Sequence, residues 1–148
     1  MIIKSRFKDY EVVIEETLNF LSSLTKLENT QYVIDKNVFN LYSSYFQQIP
    51  KNRLMIIDAL EEHKTIDTAL DICERMTEIP AKRNATLVSI GGGIIQDLTG
   101  FVANVLYRGI NWTFVPTTLL AQVDSSIGGK TGINLGTYKN VVGAFYQP

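Results

Sequence analysis

The stretch Thr86-Leu87-Val88-Ser89-Ile90-Gly91-Gly92-Gly93-Ile94-Ile95-Gln96-Asp97-Leu98-Thr99-Gly100-Phe101 sets the fold. Its opening residues are mostly β-branched or large and apolar, the pattern of a short buried strand. After the glycines the period changes. Ile94, Ile95, Leu98, Phe101, Val102, Val105 and Leu106 recur at i, i+1, i+4, i+7, i+8, i+11 and i+12, one continuous apolar face of a helix over 94–107. Gly91, Gly92 and Gly93 lie between strand and helix. Missing Cβ atoms let a ligand approach the backbone and permit positive φ. The N–H groups opening the helix, with their partial positive charge, suit a phosphate or pyrophosphate. A tight connection with nothing bound would use the same residues, so the turn alone leaves both readings open.

Outward from this unit, Tyr32-Val33-Ile34 and Leu54-Met55-Ile56-Ile57 read as buried strands before it, and Trp112 to Val115 as one after it. Helical patterns cover 38–48 and 65–78, and a further helix is expected at 15–27 ahead of the first strand. Strands alternating with helices predict an α/β, Rossmann-like domain: a mainly parallel sheet flanked by helices. No repeat, low-complexity tract or linker interrupts it, so one domain is expected over 1–148.

The chain has 148 residues, 45% of them hydrophobic, enough to bury one ordinary core. Charged residues make up 20% and the formal net charge is -1, which excludes a polyelectrolyte surface for nucleic acid or an anionic membrane. Any cation that matters must act locally. The single Cys73 cannot form an internal disulfide and suits a reducing compartment. The start has no signal-peptide pattern and no run reaches the ~18 apolar residues of a membrane span, so a soluble, cytoplasmic protein is expected. His63 is the single histidine, and it makes no metal site by itself.

Two familiar glycine motifs fail. A G-x-G-x-x-G fingerprint would need glycine where Gln96 stands, and a Walker A loop ending at Gly129-Lys130-Thr131 would need it at Asp124.

The segment from Gly91 to Phe101, followed by Tyr107-Arg108-Gly109, resembles the 3-dehydroquinate synthases and related sugar-phosphate cyclases. So do Val115-Pro116-Thr117-Thr118-Leu119-Leu120-Ala121-Gln122-Val123-Asp124-Ser125-Ser126-Ile127-Gly128-Gly129-Lys130-Thr131, then Lys139-Asn140 and Gly143-Ala144-Phe145-Tyr146-Gln147-Pro148. The resemblance implies the NAD-binding N-terminal domain of such a lyase, with the C-terminal, metal-binding helical domain absent from this chain. It implies cofactor contacts at Asp35, Asn37, Glu61, Lys64, Gly91, Gly92, Gly93, Asp97, Thr117, Thr118, Lys130 and Lys139. It implies catalytic positions at Asp124, Lys130, Lys139, Asn140 and Arg108, the last reaching across a homodimer. The implied substrate is a phosphorylated keto-acid sugar, 3-deoxy-arabino-heptulosonate 7-phosphate or a relative, in shikimate-type aromatic amino acid biosynthesis. Zinc or cobalt is implied only for the full-length enzyme, and no turnover for the isolated chain.

Blander readings stand beside these. Glu61 and Lys64 fit a solvated i, i+3 helix pair, Asp97 fits a helix N-terminus and 124–126 fits a cap. The chain also departs from the family at Ala59-Leu60, at Gln96 and at Leu135-Gly136-Thr137-Tyr138, which points to a divergent member. The alternatives are a non-catalytic NAD- or sugar-phosphate-binding module and the cofactor domain of a metal-dependent alcohol or glycerol dehydrogenase.

Overall fold

The computed structural model describes residues 1–5 and 8–148. Two short strands, β1 (Ile2–Ile3) and β2 (Tyr10–Glu11), pair antiparallel and precede the small helix α1 (Phe20–Leu24). Then come β3 (Thr30–Asp35), the helices α2 (Lys36–Leu41) and α3 (Ser43–Phe46), and β4 (Leu54–Ile57). The helix α4 (Ile66–Thr77) leads to β5 (Thr86–Gly91), α5 (Gly93–Val105) and β6 (Asn111–Pro116). A hairpin of β7 (Lys130–Leu135) and β8 (Tyr138–Phe145) follows.

The central sheet is parallel, in the order β4-β3-β5-β6, and confirms the Rossmann-like α/β reading. The chain runs from β3 out to β4 and then crosses back over β3 to β5. The strand order therefore reverses between β3 and β5, and the crevice beyond their carboxyl ends is where open α/β sheets bind ligands.

Side-chain alternation divides the core. Val33, Leu87 and Trp112 pack with Ile72 and Met76 of α4 and Leu98 and Val102 of α5. Tyr32, Ile34, Val88 and Ile90 face Leu21, Phe46 and Ile49 on the other side. Both faces of β3 and β5 are covered, which is why they read as nearly unbroken apolar runs. Ile72 and Met76 are fully buried, and truncating either to alanine would cost about 2–5 kcal/mol.

Three expectations change in detail. The helix expected over 15–27 shrinks to five residues at α1, where Ser22, Ser23 and Thr25 are poor helix formers and the Thr25 hydroxyl bonds back to the Leu21 carbonyl at 2.7 Å. The one expected over 38–48 breaks at Tyr42, with φ -123 and ψ 27, and Phe46 beyond the break enters the core and stacks on Phe39 at 5.9 Å. The helix after the glycines stops at Val105, because Tyr107 and Arg108 take left-handed φ values of 51 and 64.

The hairpin is an addition that no sequence expectation covered. β7 packs along α5, so the helix buries Gln96, Thr99 and Gly100 as well as its apolar stripe. Thr131 and Ile133 face inward from β7, while Tyr138, Val141 and Phe145 of β8 stay exposed. The amino-terminal segment reaches the same region, with the Tyr10 hydroxyl accepting from Gly128 N–H at 3.0 Å.

Candidate functional site

The glycine turn stands at the carboxyl end of β5, beside the point where the strand order reverses. Gly92 is the N-cap of α5, in extended conformation at φ -90, and no side chain caps the helix. Its first-turn N–H groups, which have no intrahelical acceptor, open toward the crevice. None of the three glycines has a positive φ, so the conformational freedom that glycine permits is not used here. Space is the reason instead. A Cβ on Gly91 would lie 2.5 Å from Ile95 Cγ1 and 3.2 Å from Asp35 Cβ, and one on Gly92 would lie 3.0 Å from Thr118 Cγ2.

Asp35, at the end of β3, spends one carboxylate oxygen capping α2: Oδ1 accepts from Asn37 N–H at 2.7 Å and from Val38 N–H at 3.4 Å. Asn37 is exposed on the first turn of that helix. Thr117 and Thr118 are exposed beyond β6, with Thr117 N–H donating to the Gly91 carbonyl at 2.9 Å. The Thr118 hydroxyl accepts from Ala121 N–H at 3.2 Å and keeps its own proton to donate.

A second group gathers where the turn after β4 meets α5 and the hairpin. Lys64 is buried, with its side chain 5% exposed. Its ammonium donates to Asp97 Oδ2 at 3.0 Å and to Asn140 Oδ1 at 2.6 Å, and lies 3.4 Å from Glu61 Oε1. The reading of Glu61 and Lys64 as a solvated helix pair is therefore overturned: Glu61 opens a 3-10 turn that Lys64 follows, and the lysine is buried at the centre of a partly exposed network. Burial pushes the Asp97 carboxyl above the usual aspartate value, although the Lys64 ammonium pulls the other way. Glu61 is held below its usual value, first by the amide of Asn134 and then, against some burial, by Lys64 and Lys139.

Asn134 was not singled out by sequence, because it lies in a stretch that carried no strand signal. Gln96 was noted only as a departure. It is buried, its Nε2 donates to the Ser125 carbonyl and its Oε1 accepts from the Ser125 hydroxyl at 2.7 Å. The amide thus ties the first turns of α5 to the π-helical turn Ala121–Ser125 that carries Asp124.

The remaining expected residues differ in how they stand to these two groups, Asn140 belonging to the Lys64 network and Lys139 acting on Glu61. Asp124, Lys130 and Lys139 are exposed, and Asn140 takes a left-handed φ of 56 within β8. Arg108 is exposed at the far end of α5, roughly 20 Å of helix from Gly93. His63 Nδ1 sits 2.7 Å from the Asp58 carbonyl. Among the described residues no three histidine, cysteine or acidic side chains converge on a point that would hold a metal.

Known proteins resemble this chain in sequence and in fold. A 3-dehydroquinate synthase of Endomicrobium trichonymphae is 38% identical over 157 aligned residues, spanning 100% of this chain and 44% of that protein. The 3-dehydroquinate synthase of Alkaliphilus oremlandii (strain OhILAs) is 45% identical over 117 residues, 77% of this chain and 32% of the other. The chain therefore spans less than half the length of these relatives. Among solved structures, the 2-epi-5-epi-valiolone synthase ValA from Streptomyces hygroscopicus subsp. jinggangensis 5008, with NAD+ and Zn2+ bound, superposes with a TM-score of 0.81 at 27% identity, over 99% of this chain and 43% of that one. A 2-deoxy-scyllo-inosose synthase complexed with carbaglucose-6-phosphate, NAD+ and Co2+ gives 0.70 at 29%, over 88% and 38%. Glycerol dehydrogenase from Schizosaccharomyces pombe, at 0.55 and 14% identity over 85% and 32%, shares the fold alone. The family model described as 3-dehydroquinate synthase N-terminal matches residues 54–148. Because that span takes in β4, the Lys64 network, the glycine turn and the hairpin, the chain belongs to the 3-dehydroquinate synthase family, in its N-terminal part.

Proposed function

We propose that the chain is the NAD-binding half of a 3-dehydroquinate synthase-type cyclase, a lyase that converts a phosphorylated keto-acid sugar, 3-deoxy-arabino-heptulosonate 7-phosphate or a relative, to a carbocycle with loss of phosphate. One observation carries the cofactor assignment: α5 begins without a side-chain cap, at glycines, beside the strand-order reversal. That is an anion site of the kind a pyrophosphate fills. The cyclase relatives with NAD+ bound support the choice of dinucleotide.

In this reading the N–H groups of Gly92 and Gly93 and the Thr117 and Thr118 hydroxyls donate to the pyrophosphate. Glu61 accepts from a ribose hydroxyl, with Asp35 and Asn37 bordering the same crevice, and Lys64 with Asp97 holds Glu61 and Asn140 in place. Bound NAD supplies a hydride acceptor for a substrate hydroxyl. Lys130, Lys139 and Asn140 present cationic and amide groups to the anionic substrate, with Asp124 beside the reacting carbons. Arg108, far from the turn, serves the site of a second copy in a homodimer. The described residues do not fit a zinc or cobalt ion, so no step here runs through one. The metal belongs to the longer protein, and no turnover is expected from the chain alone.

Calorimetric titration with NAD tests the assignment. Saturable one-to-one binding with Kd on the order of 0.1–1 mM is expected, about -4 to -5.5 kcal/mol. No saturable heat up to several-fold above that range would overturn it.

A further inference from the structure

The hairpin meets the turn of Glu61 and Lys64 mainly through one side chain. Asn134 Nδ2 donates to Glu61 Oε1 at 2.9 Å and to the Glu61 carbonyl at 3.2 Å. Its Oδ1 accepts from Asn140 N–H at 3.0 Å, and its own N–H donates to the Lys64 carbonyl at 2.8 Å. A parallel bridge to Thr65 fixes the backbone beside it. An asparagine that only closed the hairpin would satisfy backbone groups. This one also aims an N–H at a carboxylate whose side chain is 39% exposed.

We infer that Asn134 is a positioning residue for the Glu61 carboxylate, holding Oε1 so that Oε2 is presented to a bound ligand. Both side-chain contacts to Glu61, from Asn134 and from Lys64, fall on Oε1. The other oxygen is the one left for a hydroxyl donor, and an ionised carboxylate accepts there without rotating away from its partners. The charged groups facing Glu61 are Lys64 from its own turn, Asp97 from α5 and Lys139 from β8. The asparagine amide adds a donor without adding a charge. Naming the hydroxyl as a ribose hydroxyl rests on the NAD reading; the positioning does not.

The test therefore has a ligand-free arm and an NAD arm. In the first, the Glu61 carboxyl is titrated by carbon-detected NMR in the parent, Asn134→Ala and Asn134→Asp. The aspartate keeps the acceptor for Asn140 N–H, so the hairpin stays docked, but it sets a like charge against Glu61. The Glu61 pKa is expected to rise in both variants, more in Asn134→Asp, and an unmoved pKa in either overturns the inference. In the second, NAD affinity is measured by calorimetry for the parent, Asn134→Ala, Glu61→Ala and the double variant. Asn134→Ala should weaken binding about 10-fold in the parent and less than about 2-fold once Glu61 is gone. Equal weakening in both backgrounds would mean a merely structural asparagine and would overturn the inference. Should the pKa rise as expected while the parent binds no NAD, the cofactor reading falls and the positioning of Glu61 stands.

Discussion

The Lys64 ammonium lies 3.0 Å from Asp97 Oδ2, joining residues 33 positions apart in sequence, with the lysine side chain 5% exposed and the aspartate's 26% exposed. This pair seats the turn after β4 against the second turn of α5, the helix that begins at the glycines. Desolvating two charges costs several kcal/mol and is offset here by mutual attraction and by the Asn140 acceptor.

Removing one member should therefore hurt more than removing both. Lys64→Met is expected to destabilise by about 3 kcal/mol, since it leaves Asp97 part-buried beside Glu61. The double variant Lys64→Met, Asp97→Asn should regain at least about 1 kcal/mol of that. Urea unfolding of the four species reads the coupling directly, and simple additivity would argue against the pair as a unit.

Acid should act on the two carboxylates in opposite directions. Glu61 has its folded pKa below the ordinary 4.5, so its stabilisation is complete above that value and is lost as pH falls through the lower folded pKa. Asp97 has its folded pKa raised above 3.8 by burial, so its protonation favours the folded state as pH falls through that raised value. Urea midpoints between about pH 6 and 3 should thus fall less steeply for Glu61→Gln than for the parent, and more steeply for Asp97→Asn. The reverse order of slopes would show that the signs are wrong.

Gln96 gives the turn bearing Asp124 an anchor. Gln96→Gly removes both bonds to Ser125 and adds a helix-interior glycine, for a loss of roughly 2 kcal/mol. Hydrogen exchange should accelerate over 121–127 beyond what this global loss explains. Protection there equal to that of the parent would leave the Gln96 bonds without a role in ordering the turn.

What sequence reveals here tracks how local the cause is. The inner strands β3 and β5 were legible because Val33, Leu87 and their neighbours are buried on both faces, and α4 because its apolar positions repeat within one helix between Thr65 and Glu78. The β7–β8 hairpin was illegible because its exposed apolar residues, such as Tyr138 and Val141, mask the alternation carried by Thr131 and Ile133. At the site, the glycine turn announced itself, though the packing of Gly91 and Gly92 against Ile95, Asp35 and Thr118 could not be read from sequence. The roles of Lys64 and Asn134 depend on contacts between residues up to 76 positions apart, which no local pattern encodes. Glu61 and Lys64 had been matched by resemblance, while Asn134 fell in a segment with no signal of its own.

Gly93 separates ligand from fold more cleanly than its neighbours. Crowding inside the protein already accounts for Gly91 and Gly92, but a Cβ on Gly93 would meet only Ser125 Oγ at 3.8 Å, an ordinary contact, and its φ is not left-handed. Nothing in the chain itself demands glycine there, and alanine is the better helix former. Gly93→Ala should therefore fold with stability equal to the parent's or up to about 1 kcal/mol higher. If a dinucleotide pyrophosphate lies against that backbone, the added methyl occupies its place. The account predicts that calorimetric titration of folded Gly93→Ala shows NAD bound at least about 10-fold more weakly than by the parent. NAD affinity within about 2-fold of the parent's would contradict the assignment of the glycine turn as the cofactor site.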